Sequence, residues 1–169
     1  MSLMFTGALS VVLFAGPALA GTTTNPANAP TGTHLKTGTP GCSASGTTLT
    51  CKGFTLAGVG NTNATATLNA TWTALINCRN NGGQVVESHS ESIAAPTNSV
   101  TVQSKNGNLT VPSLTSTAPS SSVFLAQATC PNPNWTAEVA PGNPTLTSFD
   151  YKLTFAGFTN PYIEITPDP

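Results

Sequence analysis

The chain predicts an all-β fold, an antiparallel immunoglobulin-like β-sandwich of about eight or nine strands with a closed barrel as the alternative, and three observations carry that expectation. From Asn63 to Cys78 the even positions read Ala64, Ala66, Leu68, Ala70, Trp72, Ala74, Ile76 and Cys78, while the odd ones are Asn or Thr except Leu75. Successive side chains of a strand point to opposite faces, so this run is one long strand with one face on a core and one in water. Further short apolar runs are separated by turn signals over about one domain's length. Charged residues make up only 7% of the 169 positions, and exposed helices depend on Glu and Lys, so almost no helix is expected.

Residues 1–20 are apolar, lack Lys and Arg, and end in Ala18-Leu19-Ala20, the small-x-small pattern of a signal-peptidase site. Cleavage is expected after Ala20; the alternative is an uncleaved N-terminal anchor. No later apolar run is long enough to cross a bilayer, and no cysteine directly follows the site to take a lipid. The expectation is a secreted, extracellular protein without a membrane span once the signal is removed. Residues 21–40, rich in Thr, Pro, Gly, Ala and Asn, read as a flexible leader, and 41–169 as a single sandwich domain.

Within that domain a first hairpin covers 41–57 and turns at Ser45-Gly46. Its second arm changes phase, since Leu49 and Cys51 are odd while Phe54 and Leu56 are even, which places a bulge at Lys52-Gly53. The long strand ends at Asn80-Asn81-Gly82-Gly83, a strong hairpin signal, and returns from Gln84 to about Ile93. A strand from Val100 to Ser104 turns at Asn106-Gly107 into a partner carrying Leu109 and Val111. Residues 113–121 form a Ser, Thr and Pro loop, and Ser122 to Cys130 reads as a strand with Phe124, Ala126, Ala128 and Cys130 inward. An irregular Pro-rich stretch leads to a last long strand with Phe149, Tyr151, Leu153 and Phe155 on one face, and a short strand from Tyr162 to Thr166 closes the chain. The segment 49–55 matches 153–159 at five positions, which reads as a repeated strand-glycine-aromatic device that bends a strand rather than as a duplicated domain.

Four cysteines behind an export signal indicate two disulfides in an oxidising compartment. Cys42 and Cys51 flank a hairpin turn and face each other across it; Cys78 and Cys130 share faces with apolar residues and point inward. The expected pairs are therefore Cys42 with Cys51 and Cys78 with Cys130, the second tying two sheets together.

The segments CKGFTLAGVGNTNATATL, INCRNNGGQVV, ATCPNPNWT and LTFAGFTNPYI resemble small exported β-rich proteins of high-GC Gram-positive bacteria, over most of the mature chain. The resemblance implies the same cysteine framework and a β-rich fold. No functional residue is carried over from it.

Net charge is −1 and no Lys or Arg cluster exists, so nucleic acid and anionic lipid are not expected partners. Glu87, His89 and Glu91 leave one face of a strand at spacings from which a metal can be chelated, but a solvated strand face is the ordinary reading, and no metal or other cofactor is expected. A hydrolase would need a nucleophile elbow, a free thiol or a well-placed imidazole. The chain offers only His34, in the leader, and His89, with Glu87, Glu91, Glu138, Asp150, Glu164 and Asp168 as its acids. A metal-dependent or carboxylate-based hydrolase is therefore the third reading, and no catalytic residue is assigned. Binding comes before it: Cys130-Pro131-Asn132-Pro133-Asn134-Trp135 is stiff and rich in amides, and aromatic faces stack on sugars or peptides. Trp135 and Tyr162 with Asn132 and Asn134 are the candidate binding residues, for an unknown protein or glycan partner. The competing role for Trp135 is a plug at the end of the core, and Trp72 is expected within the core. Asn63, Asn69, Asn108 and Asn134 begin N-x-Ser/Thr triplets, which the bacterial resemblance argues are unmodified. The function expected is a non-catalytic binding or structural role at the cell envelope or in the medium, with a carbohydrate-binding module as the alternative.

Overall fold

The computed structural model describes residues 20–167; the signal peptide expected at 1–20 lies outside them apart from Ala20. The strands are β1 (Ala20–Thr24), β2 (His34–Thr37), β3 (Cys42–Ser45), β4 (Thr48–Cys51), β5 (Phe54–Ala57), β6 (Ala64–Arg79), β7 (Val85–Ala94), β8 (Asn98–Val102), β9 (Asn108–Val111) and β10 (Leu114–Thr117). The one α-helix among the described residues, α1 (Ser121–Gln127), precedes β11 (Thr136–Val139), β12 (Thr145–Phe155) and β13 (Ile163–Pro167). The chain is all-β and antiparallel.

β6 is the spine. Every even position from Ala64 to Cys78 is buried, and the odd ones are half-buried or exposed, as the alternation requires. Along one edge of β6 lie β12, paired from Ala64 to Thr73, and β11, paired from Ile76 to Arg79. Along the other lie β8, from Ala64 to Leu68, and β7, from Thr71 to Arg79. β13 and then β1 extend the sheet beyond β12. Bulky residues of β12 stand beside small ones of β6: Phe149 opposite Ala70, Leu153 opposite Ala66 and Phe155 opposite Ala64. That alternation fills the core without crowding it.

Two three-stranded sheets complete the fold, β3-β4-β10 and β2-β5-β9. The phase change read at Lys52-Gly53 is where one arm passes from the first of these sheets to the second. β9 and β10 make the same transition at Pro112-Ser113, with Phe54 opposite Val111 and Cys51 opposite Leu114. Leu49, Phe54, Leu56, Leu109 and Val111 join Leu68, Trp72, Tyr151 and Leu153 in one hydrophobic cluster. Because arms are cut at such bends, thirteen strands occur among the described residues, more than the eight or nine expected.

Three expectations are corrected. Residues 21–40 are not a flexible leader: β1 pairs with β13, β2 pairs with β5, and Ala29 is buried. Backbone pairing needs no apolar side chains, which is why the composition concealed it. The segment Ser122 to Cys130 is not a strand: α1, entered after Pro119 and Ser120, covers it as far as Gln127. Phe124 is buried, Leu125 and Ala128 are half-buried and Ala126 is exposed, a helical rather than a dyad spacing. Finally, the turn at Asn106-Gly107 forms, with both residues at positive φ, but it carries the chain from the large sheet to a small one. β8 therefore pairs with β6 and β9 with β5, rather than with each other.

Candidate functional site

The disulfides are Cys42–Cys51, across the β3-β4 hairpin, and Cys78–Cys130, with Cα–Cα distances of 4.0 and 5.8 Å. The second joins β6 to the segment after α1 rather than to a strand of another sheet. α1 packs against both β7 and β11, which flank the end of β6, so it crosses the inner face of the large sheet there with Phe124 inserted beneath it.

Just beyond the disulfide, Asn132 organises a turn. Its Oδ1 accepts the Asn134 N–H at 2.9 Å and its C=O accepts the Trp135 N–H at 3.0 Å. Its side-chain acceptor is thereby engaged locally, an Asx-turn. Asn134 is exposed and Trp135 half-buried. Tyr162 is 5% exposed, its ring against Phe155 with centroids 5.6 Å apart, and burial raises its phenol above the ordinary range. It forms one wall of an open depression of about 270 Å³ with Asn25, Asn28, Asn160 and Glu164. Trp135 adjoins the Arg79 end of β6, whereas Tyr162 donates its N–H to the Leu153 C=O, level with Ala66. At the rise of a strand those places are roughly 40 Å apart. The four candidate binding residues thus divide into Asn132, Asn134 and Trp135 at one end and Tyr162 at the other, with no shared aromatic platform.

Every carboxylate among the described residues stands against a basic side chain. Glu138 meets Arg79 at 2.6 Å; Asp150 and Glu164 lie 2.8 and 3.4 Å from Lys152. The hydrogen bond from Lys152 to Asp150 is the main reason that its ammonium is held more strongly protonated than usual. Glu87 and Glu91 lie 3.8 and 3.5 Å from His89. Asp168 lies outside the described residues.

The Glu87-His89-Glu91 row is not on a solvated face. β7 pairs these residues with Cys78, Ile76 and Ala74, all buried, so the three side chains share the inner face of the sheet and are half-buried. His89 Nδ1 is sealed from solvent without a hydrogen-bond partner among the described residues. Nδ1 addresses Glu87 and Nε2 addresses Glu91, so the two carboxylates flank the ring on opposite sides instead of converging with it on one point. The sequence held the signal for this placement: the Asn80–Gly83 turn pairs even positions of β6 with odd positions of β7, and Ile93 belongs to the same odd set.

β7 pairs only with β6 among the described residues, leaving an unpaired edge along the whole of Val85–Ala94. Val85 and Val86 at its start are 43% and 44% exposed. No helix among the described residues is long and apolar enough to cross a membrane. The described residues define a disulfide-stapled, antiparallel all-β fold in which β7 carries a long unpaired edge. No protein family, no curated protein and no solved structure matches the chain.

Proposed function

We propose that the chain is a secreted, non-catalytic, immunoglobulin-like β-sandwich that acts as a binding or structural component at the cell envelope or in the medium, engaging its partner through the edge of β7. The carrying observation is that edge, since a row of unpaired backbone donors and acceptors is a template for adding a strand. Two disulfides suit an oxidising compartment, as do the signal-like N terminus and the resemblance to exported bacterial proteins. The common hydrophobic cluster of the three sheets suits two layers packed face to face.

A carbohydrate-binding module is the second reading, favoured by half-exposed Trp135 beside exposed Asn134. A glycan array separates the two: silence is expected, whereas binding that is lost in Trp135→Ala selects the module. The edge itself is tested with Ser90→Pro, which removes one donor from the ladder. Release of this variant from the envelope fraction of secreting cells, with the wild type retained, is the expected result; equal retention of both overturns the edge as the contact on which retention depends.

A further inference from the structure

We propose that the partner strand on β7 is β7 of a second copy, paired antiparallel about a twofold axis at Ser90. This rests on the edge-binding reading and names its partner. The Ala95 N–H donates to the Ala70 C=O at 2.9 Å, so by the alternation of an antiparallel ladder the odd residues of β7 address β6. The even residues from Ser88 to Ala94 present their N–H and C=O groups to the open edge; Val86 is passed over at the bulge opposite Cys78 and Arg79.

Charge selects the register. With Ser90 on the axis, His89 stands opposite the partner's Glu91 and Glu91 opposite the partner's His89, two equivalent contacts created by one symmetry operation. An imidazole N–H donates to a carboxylate in either protonation state, and opposite charges directly across a ladder stabilise it. An axis at His89 would instead set Glu87 against the partner's Glu91, two like charges. An axis at Ser88 also pairs a histidine with a glutamate, but its overlap runs off β7 into the turn that begins at Asn80. Of the two axes that pair His89 with a glutamate, the one at Ser90 keeps the longer regular overlap, Glu87 to Ile93 in both copies, so it forms more backbone bonds. Inward-pointing charges also serve to block edge pairing. Two glutamates alone would do that; a histidine between them makes the row complementary to itself. Each copy uses its single β7 edge, so the assembly closes at two.

Single-cysteine additions to the otherwise intact mature protein test the register. In Ser90→Cys the new residue faces its own copy at about 5.5 Å between Cα atoms, within disulfide reach. In Ser88→Cys the two new residues sit four positions out of step, roughly 14 Å apart. The expected result is a wild type that sediments as a dimer, and oxidative cross-linking of Ser90→Cys at least about tenfold faster than that of Ser88→Cys. A wild type that remains monomeric across a concentration series overturns the proposal, as does equal cross-linking of the two variants. Envelope retention separates the two levels: a monomeric wild type whose retention is still lost in Ser90→Pro sinks self-pairing and leaves the edge-binding function standing, whereas a monomeric wild type with retention unchanged in Ser90→Pro sinks both. Circular dichroism reports the folding of each variant, and the cross-linking comparison stands without the proline variant.

Discussion

The Tyr151 hydroxyl lies sealed in the core, 1% of the residue exposed, with no hydrogen-bond partner among the described residues; Trp72 Nε1 and Ser116 Oγ share that condition. A buried polar group left unpaired forfeits its hydration without return, so Tyr151→Phe is expected to raise the free energy of unfolding by about 1 kcal/mol in urea titrations. Burial also pushes the phenol from 10.0 up to about 12. The unfolded chain therefore loses this proton first. The contribution is intact below pH 10 and falls by up to about 1.4 kcal/mol per pH unit as pH rises from 10 to 12, so the variant should show a flatter alkaline decline than the wild type. The identity and inward direction of Tyr151 were legible from its alternation with Lys152. The missing partner was not, because whether a hydroxyl meets another polar atom depends on the elements packed over it.

Among the elements, the paired bends at Lys52-Gly53 and Pro112-Ser113 show how local pattern and packing divide the work. The phase change from Leu49 and Cys51 to Phe54 and Leu56 is visible in the chain, and the structure places the bend there. Its cause lies across the ribbon: a Cβ on Gly53 would come 2.8 Å from the Val111 carbonyl oxygen and 3.1 Å from the Ser113 nitrogen, both backbone atoms. Gly53→Ala is therefore expected to cost about 1–3 kcal/mol, read as a lowered urea midpoint with an unchanged slope. α1 is the converse case. Its seven residues contain no charge and only one fully buried side chain, Phe124, so a helix stripe and a strand face were hard to tell apart over so short a run. The Cys78–Cys130 bond and the contacts with β7 and β11 give that segment its place.

For the molecule as a whole, the two disulfides are staples of different reach. The Cys78–Cys130 link closes 52 residues and Cys42–Cys51 closes 9. By the loop-entropy relation, Cys78→Ala with Cys130→Ala should lose about 4 kcal/mol and Cys42→Ala with Cys51→Ala about 2.5 kcal/mol, measured by denaturant unfolding. Their pairing could be argued from strand phase and turn position because those cues are local. The long strand, its inward and outward faces, the turns at Asn80–Gly83 and Asn106-Gly107, and the apolar face of β12 were determined by the sequence alone, since dyad periodicity and turn chemistry are properties of neighbouring residues. Only the tertiary structure decided that β1 and β2 pair with distant strands, that β8 and β9 part company, and that Trp135 and Tyr162 lie at opposite ends of β6. It also decided that the edge of β7 beside Glu87, His89 and Glu91 is left unpaired among the described residues. Those facts depend on which strand becomes whose neighbour, and that choice is made by burying apolar faces across long sequence separations, where no short window of the chain records it.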